Sequence, residues 1–162
     1  MKSEANALRH RRAMLKAFAG YAAIAVTLRN ADAQPRRALV QVWKDPSCNC
    51  CQDWVTHLEQ NGFDVRVMAS DRAGIEARPG VLQQYASCHT GLVDGYAIEG
   101  HVPARDIQRL LRARPAAVGL AVPGMPVGSP GMDGAVYGGR RDPYDVLLIL
   151  KDGSSRIFKK YS

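Results

Sequence analysis

The chain has 162 residues, 46% of them apolar and 23% charged, the composition of one compact domain. Residues 1–33 hold six Lys/Arg against two Asp/Glu, so they supply +4 of the formal net charge of +7 and leave +3 for residues 34–162. That mild excess is scattered among acids, as at Arg105-Asp106 and Lys151-Asp152, which argues against a nucleic-acid partner and for a solvated surface.

The N-terminus reads as a targeting segment. Arg9-His10-Arg11-Arg12 precedes the small, apolar run Ala17 to Leu28, and Ala31-Asp32-Ala33 has the small-x-small form that a signal peptidase cuts. Within it, Arg11-Arg12-Ala13-Met14-Leu15-Lys16 resembles the twin-arginine export motif. The expectation is a signal peptide over residues 1–33 and a mature chain starting near Gln34, exported in the folded state to the periplasm. An ordinary Sec signal and an uncleaved basic tail are the competing readings. The apolar run falls short of the roughly 20 residues a membrane helix needs, and no other segment comes close, so no membrane association is expected once the leader is removed.

Ala38 to Trp43 is a short run rich in β-branched residues that stops at Lys44-Asp45-Pro46-Ser47, which predicts a buried strand entering a loop. From Cys50, Trp54, Val55 and Leu58 fall at helical spacing until Asn61-Gly62, and Phe63 to Met68 alternates as a second strand. Strand, loop, helix, strand at this spacing predicts a right-handed crossover between parallel strands. Ser70 to Gly80 is polar and turn-rich, and Val81 to Ala86 predicts a short helix. Gly91-Leu92-Val93-Asp94 and Tyr96-Ala97-Ile98-Glu99 predict a hairpin turning at Asp94-Gly95.

A second helix opens near Pro103, carries Ile107, Leu110 and Leu111 on one face and ends before Pro115. Val122 to Pro143 is dense in Gly and Pro and predicts a long ordered loop, a kind that tends to be functional. Asp145 to Leu150 and Arg156-Ile157-Phe158 predict a last hairpin across Lys151-Asp152-Gly153-Ser154. The expected fold of residues 34–162 is a single α/β domain: a central mixed sheet with flanking helices and an extra C-terminal hairpin. This order resembles the thioredoxin-like fold, in which the loop after the first strand carries the redox or metal chemistry.

Three of the four cysteines lie in that loop. Cys48-Asn49-Cys50-Cys51 holds a Cys-x-x-Cys pair, a Cys-x-Cys pair and an adjacent pair at once. A disulfide exchanger needs two thiols, and a third beside them is a competing partner. Thiolates are favoured at a helix N-terminus, but a cluster of them repels itself unless a cation sits among them, and soft thiolates select Cu(I), zinc or iron–sulfur clusters. Fold analogy brings Cys88 and His89 to the same loop, while Gly91 after Thr90 departs from the proline found there in thioredoxins. Two structural disulfides, for example Cys48 or Cys51 to Cys88 with one other pair, and a four-thiolate zinc site remain alternatives.

Met125 and Met132 bracket a segment of the Gly/Pro loop and are either soft ligands suited to Cu(I) or loop anchors packed on the sheet. His101, two residues before Pro103, reads as a helix-entry residue and not as a ligand, and His57 as a surface residue.

Cys48-Asn49-Cys50-Cys51, Cys88-His89-Thr90, Glu99-Gly100-His101-Val102-Pro103-Ala104 and Gly124-Met125-Pro126 to Gly131-Met132 together resemble the CopG-like family of periplasmic copper-handling proteins, unrelated to the DNA-binding repressor of the same name. The resemblance runs from about Ala38 to Tyr161. It implies a thioredoxin-like fold, a multinuclear copper site and a role in copper resistance, with Cys48, Cys50, Cys51 and Cys88 as primary ligands and His89, Met125 and Met132 as further ones. The resulting expectation is a binding protein for Cu(I) with thiol–disulfide-coupled redox, in which a copper-linked redox activity stays an open alternative, and whose partners are copper ions and other exported copper-handling proteins. The rival expectation is a periplasmic thiol-disulfide oxidoreductase.

Overall fold

The computed structural model describes residues 36–69 and 83–162. The leader, its twin-arginine motif and cleavage site, and the turn-rich Ser70 to Gly80 lie outside the described residues. Of the helix expected over Val81 to Ala86, the described part is a single 3-10 turn, Gln83–Tyr85.

The apolar run after Ala38 forms β1 (Leu39–Lys44), followed by α1 (Asn49–Gln60) and β2 (Asp64–Ala69), which lies parallel to β1. Buried Cys51, Trp54, Val55 and Leu58 make the inner stripe of α1, and Gly62, at φ 86°, ends it. β3 (His89–Val93) and β4 (Tyr96–Gly100) form the expected hairpin, with Asp94 and Gly95 both at positive φ in the turn. α2 (Ala104–Ala113) stops at Arg114, held in the left-handed region immediately before Pro115. β6 (Tyr144–Leu150) and β7 (Ser155–Tyr161) are the C-terminal hairpin.

One strand was not expected. Ala117–Val122 forms β5, parallel to β4 and antiparallel to β6, so the long loop begins at Pro123 instead of Val122. At its third residue, Gly119, the backbone of β4 comes close. A Cβ on Gly119 would stand 1.7 Å from the Ala97 carbonyl oxygen, inside any contact distance. Ala117, Gly119 and Ala121 dilute the strand signal of Val118, Leu120 and Val122, and pairing on both sides makes the segment a strand.

Among the described residues, seven strands form one mixed sheet in the order β2-β1-β3-β4-β5-β6-β7. Trp54, Val55 and Leu58 of α1 and Ile107 and Leu110 of α2 join one core cluster with Val40, Val42, Ile98, Leu120, Val122, Val146 and Leu148 of the sheet. Burying a side chain of this size contributes about 1.5–3 kcal/mol. Among the described residues no helix is long and apolar enough to cross a membrane.

Two polar ties fix the helices to their surroundings. The buried Trp54 indole donates to the Val102 carbonyl at 2.9 Å, joining α1 to the segment that leaves β4. Tyr161 of β7 donates its hydroxyl to the buried Asp106 carboxylate of α2, stacks on Tyr144 and accepts from Arg105 Nε at 2.8 Å. Burial and the Asp106 acceptor push the Tyr161 phenol up to about 12.

Candidate metal centre

The cysteine loop wraps onto the N-terminus of α1. Cys48 is the residue before the first helical turn, and Cys50 and Cys51 lie within that turn, where the leading backbone N–H groups have no helical acceptor and favour negative charge. Cys48 and Cys51 are joined as a disulfide, while Cys50 and Cys88 are free thiols. Cys50 Sγ lies 3.5 Å from Cys48 Sγ. Cys51 Sγ lies 3.8 Å from the Cys88 carbonyl oxygen, a contact that becomes an S–H···O hydrogen bond once the disulfide is reduced. The sulfurs of Cys48, Cys50, Cys51 and Cys88 all fall within 4.8 Å of one another.

Cys88 belongs to a second group as well. The sulfur of Cys88 and a ring nitrogen from each of His89 and His101 also lie within 4.8 Å of one another. This corrects the reading of His101 as a helix-entry residue: it is fully buried, with Nε2 3.4 Å from Cys88 Sγ. The physical reason is register. The β3–β4 hairpin pairs Thr90 with Glu99, and continuing that register by two residues sets Cys88 opposite His101. The signal was present in the Asp94-Gly95 turn, which fixes the pairing once the hairpin is drawn.

Backbone carbonyls decide the tautomers of both imidazoles. His89 Nε2 lies 3.0 Å from the Gly100 oxygen and His101 Nδ1 lies 2.8 Å from the Pro130 oxygen. A carbonyl only accepts, so each of those nitrogens carries the proton. The other nitrogens, His89 Nδ1 and His101 Nε2, then point lone pairs at Cys88 Sγ, each from 3.4 Å. One S–H proton cannot serve two such acceptors, whereas a cation among sulfur and both nitrogens satisfies all three.

Protonation follows burial. His89, fully buried, stacks on Trp54 and meets His101 edge-on, and burial followed by the neighbouring His101 and Lys44 pushes it down to about 3. Burial likewise lowers His101, against the opposing pull of the Pro130 carbonyl and Asp133. Both rings are thus neutral, the state in which imidazole ligates a metal. Burial, with the Cys50 thiol beside it, pushes the Cys88 thiol up to about 11, so its proton leaves only when a cation takes its place.

The Gly/Pro loop is ordered by its own bonds, among them Gly128 N–H to the Met132 carbonyl at 2.7 Å and the Ser129 hydroxyl to the Pro126 carbonyl at 2.7 Å. It closes over the centre at Gly131, where a Cβ would stand 2.5 Å from the Cys50 carbonyl oxygen and 2.9 Å from the Trp54 nitrogen. At φ 84° this position also favours glycine on conformation alone. Met132, the next residue, has its sulfur 3.2 Å from the Tyr137 hydroxyl, which donates to it. Met125 stands at an exposed turn with φ 50°. His57, expected at the surface, is half-buried and accepts the Ala104 N–H at 3.1 Å, satisfying a leading amide of α2.

Of the residues singled out in the sequence, the fold gathers Cys48, Cys50, Cys51, Cys88 and His89. It adds His101. The sulfur-rich half and the nitrogen-rich half meet at Cys88, whose sulfur as a thiolate has lone pairs enough to bridge two ions.

Residues 85–132 match a family model described as a protein of unknown function, DUF411. No curated protein matches. Among solved structures the chain is similar to one titled copper resistance protein copG, form 2, at 45% identity and a TM-score of 0.70, covering 78% of this chain and 99% of that one. The form 1 structure of the same title is similar at 45% identity and a TM-score of 0.70, covering 77% of this chain and 98% of that one.

Proposed function

The chain belongs to the family of the copper resistance protein CopG, and we propose that its own cargo is Cu(I), held in a thiolate-bridged cluster that the Cys48–Cys51 disulfide opens and closes. The observation that carries this reading is the convergence of four sulfurs and two imidazole lone pairs on a space shared through Cys88. Sulfur and imidazole are soft or borderline donors that suit a monovalent copper ion, and bridging thiolates let few ligands hold several ions. The strand order β2-β1-β3-β4, with the cysteines directly after β1, supports the thioredoxin-like reading of the scaffold.

Reducing the disulfide takes two electrons and two protons and yields two thiols. Each Cu(I) then displaces thiol protons to solvent. Oxidation reverses this, withdraws two anionic ligands and lets copper leave. Export through the twin-arginine route would deliver the folded protein to the periplasm, where copper ions and other exported copper-handling proteins are its partners.

The experiment is metal analysis with a thiol count on protein purified anaerobically and in air. The reduced protein is expected to hold several Cu(I) against a chromophoric chelator and the oxidised protein fewer. Trace uptake by the reduced protein would overturn the reading. The disulfide itself favours a second reading, a thiol-disulfide oxidoreductase, which predicts insulin reduction that survives Cys50→Ser. In the copper reading the same substitution damages metal stoichiometry instead.

A further inference from the structure

Strand pairing stops short of Cys88. The paired register of β3 with β4 runs from Val93–Tyr96 to Thr90–Glu99, and that of β3 with β1 ends at Lys44–His89, so Cys88 stands one residue ahead of the strand. Where the ladder ends, the Glu99 side chain takes over. It is 1% exposed, and its carboxylate accepts the Ser87 N–H on Oε1 at 2.6 Å and the Thr90 hydroxyl on Oε2 at 2.8 Å. One carboxylate thus ties the chain on both sides of Cys88-His89.

The two residues after Glu99 complete the grip. The Gly100 carbonyl accepts from His89 Nε2 at 3.0 Å, and a Cβ on Gly100 would stand 2.8 Å from the Ser87 hydroxyl oxygen, so Ser87 packs directly against it. His101 presents Nε2 to Cys88 Sγ at 3.4 Å. Glu99, Gly100 and His101 between them therefore meet all four residues from Ser87 to Thr90. Of the three, Glu99 is the one that bonds the backbone ahead of Cys88, and hydrogen bonds to a carboxylate are about twice as strong as those between neutral groups.

We propose that Glu99 is a positioning residue of the centre, clamping Ser87 and Thr90 so that the Cys88 sulfur stays aimed at both imidazole lone pairs. The effect on copper rests on the reading above, whereas the clamp itself acts without metal. Donors must be held within about 0.5 Å of their binding geometry, and a Ser87 amide without its acceptor lets Cys88 leave that position.

The test compares the full chain with three variants. Glu99→Met fills a similar space without an acceptor. Glu99→Gln keeps an oxygen for the Ser87 N–H and offers an amide donor to the Thr90 hydroxyl, while Thr90→Val removes the donor to Oε2 in a side chain of the same shape. Cu(I) affinity of the reduced chains is read against a chelator, and crystal structures of the metal-free chains read the separation of Cys88 Sγ from His101 Nε2. Losing a group that orients a ligand costs about 10- to 100-fold in affinity, so Glu99→Met is expected to bind Cu(I) at least about tenfold more weakly and to displace the sulfur by more than about 0.5 Å. Thr90→Val, which loses one hydrogen bond, is expected to bind about fivefold more weakly, and Glu99→Gln within about twofold of the parent chain. Rescue by glutamine separates positioning from charge and from general destabilisation, and circular dichroism reports the fold.

With a parent chain that binds Cu(I), the proposal is overturned if folded Glu99→Met binds it equally well or leaves the sulfur in place, or if Glu99→Gln is as impaired as Glu99→Met. Should Glu99→Met fail to fold, Thr90→Val decides, and parent affinity with an unmoved sulfur overturns the proposal. A displaced sulfur in Glu99→Met beside a parent chain that binds no Cu(I) would uphold the clamp and sink the copper reading. Equal Cu(I) binding by all four chains, with the sulfur unmoved, would do the reverse.

Discussion

The two halves of the centre are built on different physics. At the head of α1, Cys48, Cys50 and Cys51 are brought together by sequence proximity and one helical turn, and two of them are already spent in a disulfide. At the ends of β3 and β4, Cys88, His89 and His101 are brought together by strand register, and two backbone carbonyls fix the direction of both lone pairs. The first half changes its ligand count with redox state. The second keeps its donors whether the loop is oxidised or reduced. Under the proposed copper reading, a redox-variable set joined through one thiol to an invariant set would let the protein alter how much copper it holds without dismantling the site.

The largest expected effect breaks the comparison at its joint. Cys88→Ser removes the one ligand common to both halves, and Cu(I) affinity of the reduced chain should fall by more than about a hundredfold, beyond the 10- to 100-fold cost of losing an outer-shell partner. A chelator titration measures it, and a fall no greater than that of Cys50→Ser would mean that Cys88 does not bridge.

His101→Ala sharpens the contrast between the states. In air-oxidised protein, where the imidazole half stands without the loop thiolates, it should abolish the residual copper found by metal analysis. In reduced protein the same substitution should cost less, because the loop sulfurs still bind. Equal losses in both states would show that the halves do not act separately.

Gly131→Ala tests whether the loop aims the invariant half. Its Cβ collides with the Cys50 carbonyl and the Trp54 nitrogen, displacing the Pro130 carbonyl that orients His101. The expected results are a loss of about 2 kcal/mol in stability, read as a drop of roughly 8 °C in Tm, and a fall of about tenfold in copper affinity. An unchanged affinity with a lowered Tm would leave the loop a structural cover only.

The smallest effect on copper is expected away from both halves. Tyr161→Phe strips the buried Asp106 carboxylate of its hydroxyl donor and should cost about 1–3 kcal/mol of stability while leaving copper stoichiometry unchanged. The same contact sets a pH window. Because the folded state raises the Tyr161 phenol to about 12 from an ordinary value near 10, its contribution is complete below pH 10 and is lost as pH rises toward 12. Denaturant melts should show that loss in the parent chain and not in Tyr161→Phe.

Much of this was legible in the chain itself. The cysteine loop after β1, the crossover to β2, the Asp94-Gly95 hairpin, the helix stopped by Pro115 and the C-terminal hairpin all follow from local period and turn chemistry. β5 did not show, because Ala117-Val118-Gly119 owes its strand character to the neighbour that approaches Gly119. His101 did not show as a member of the donor cluster, because its nearest sequence cue was Pro103, while its sulfur partner lies 13 residues back across a hairpin.

By itself the sequence determined which donors this protein owns and that three of them share a turn, since neighbours on a chain stay neighbours however it folds. Only the tertiary structure decided that Cys88 joins them and that two neutral imidazoles aim at its sulfur. Those depend on register, burial and the direction of carbonyl groups, which exist only once the sheet is paired and the helices are packed on it.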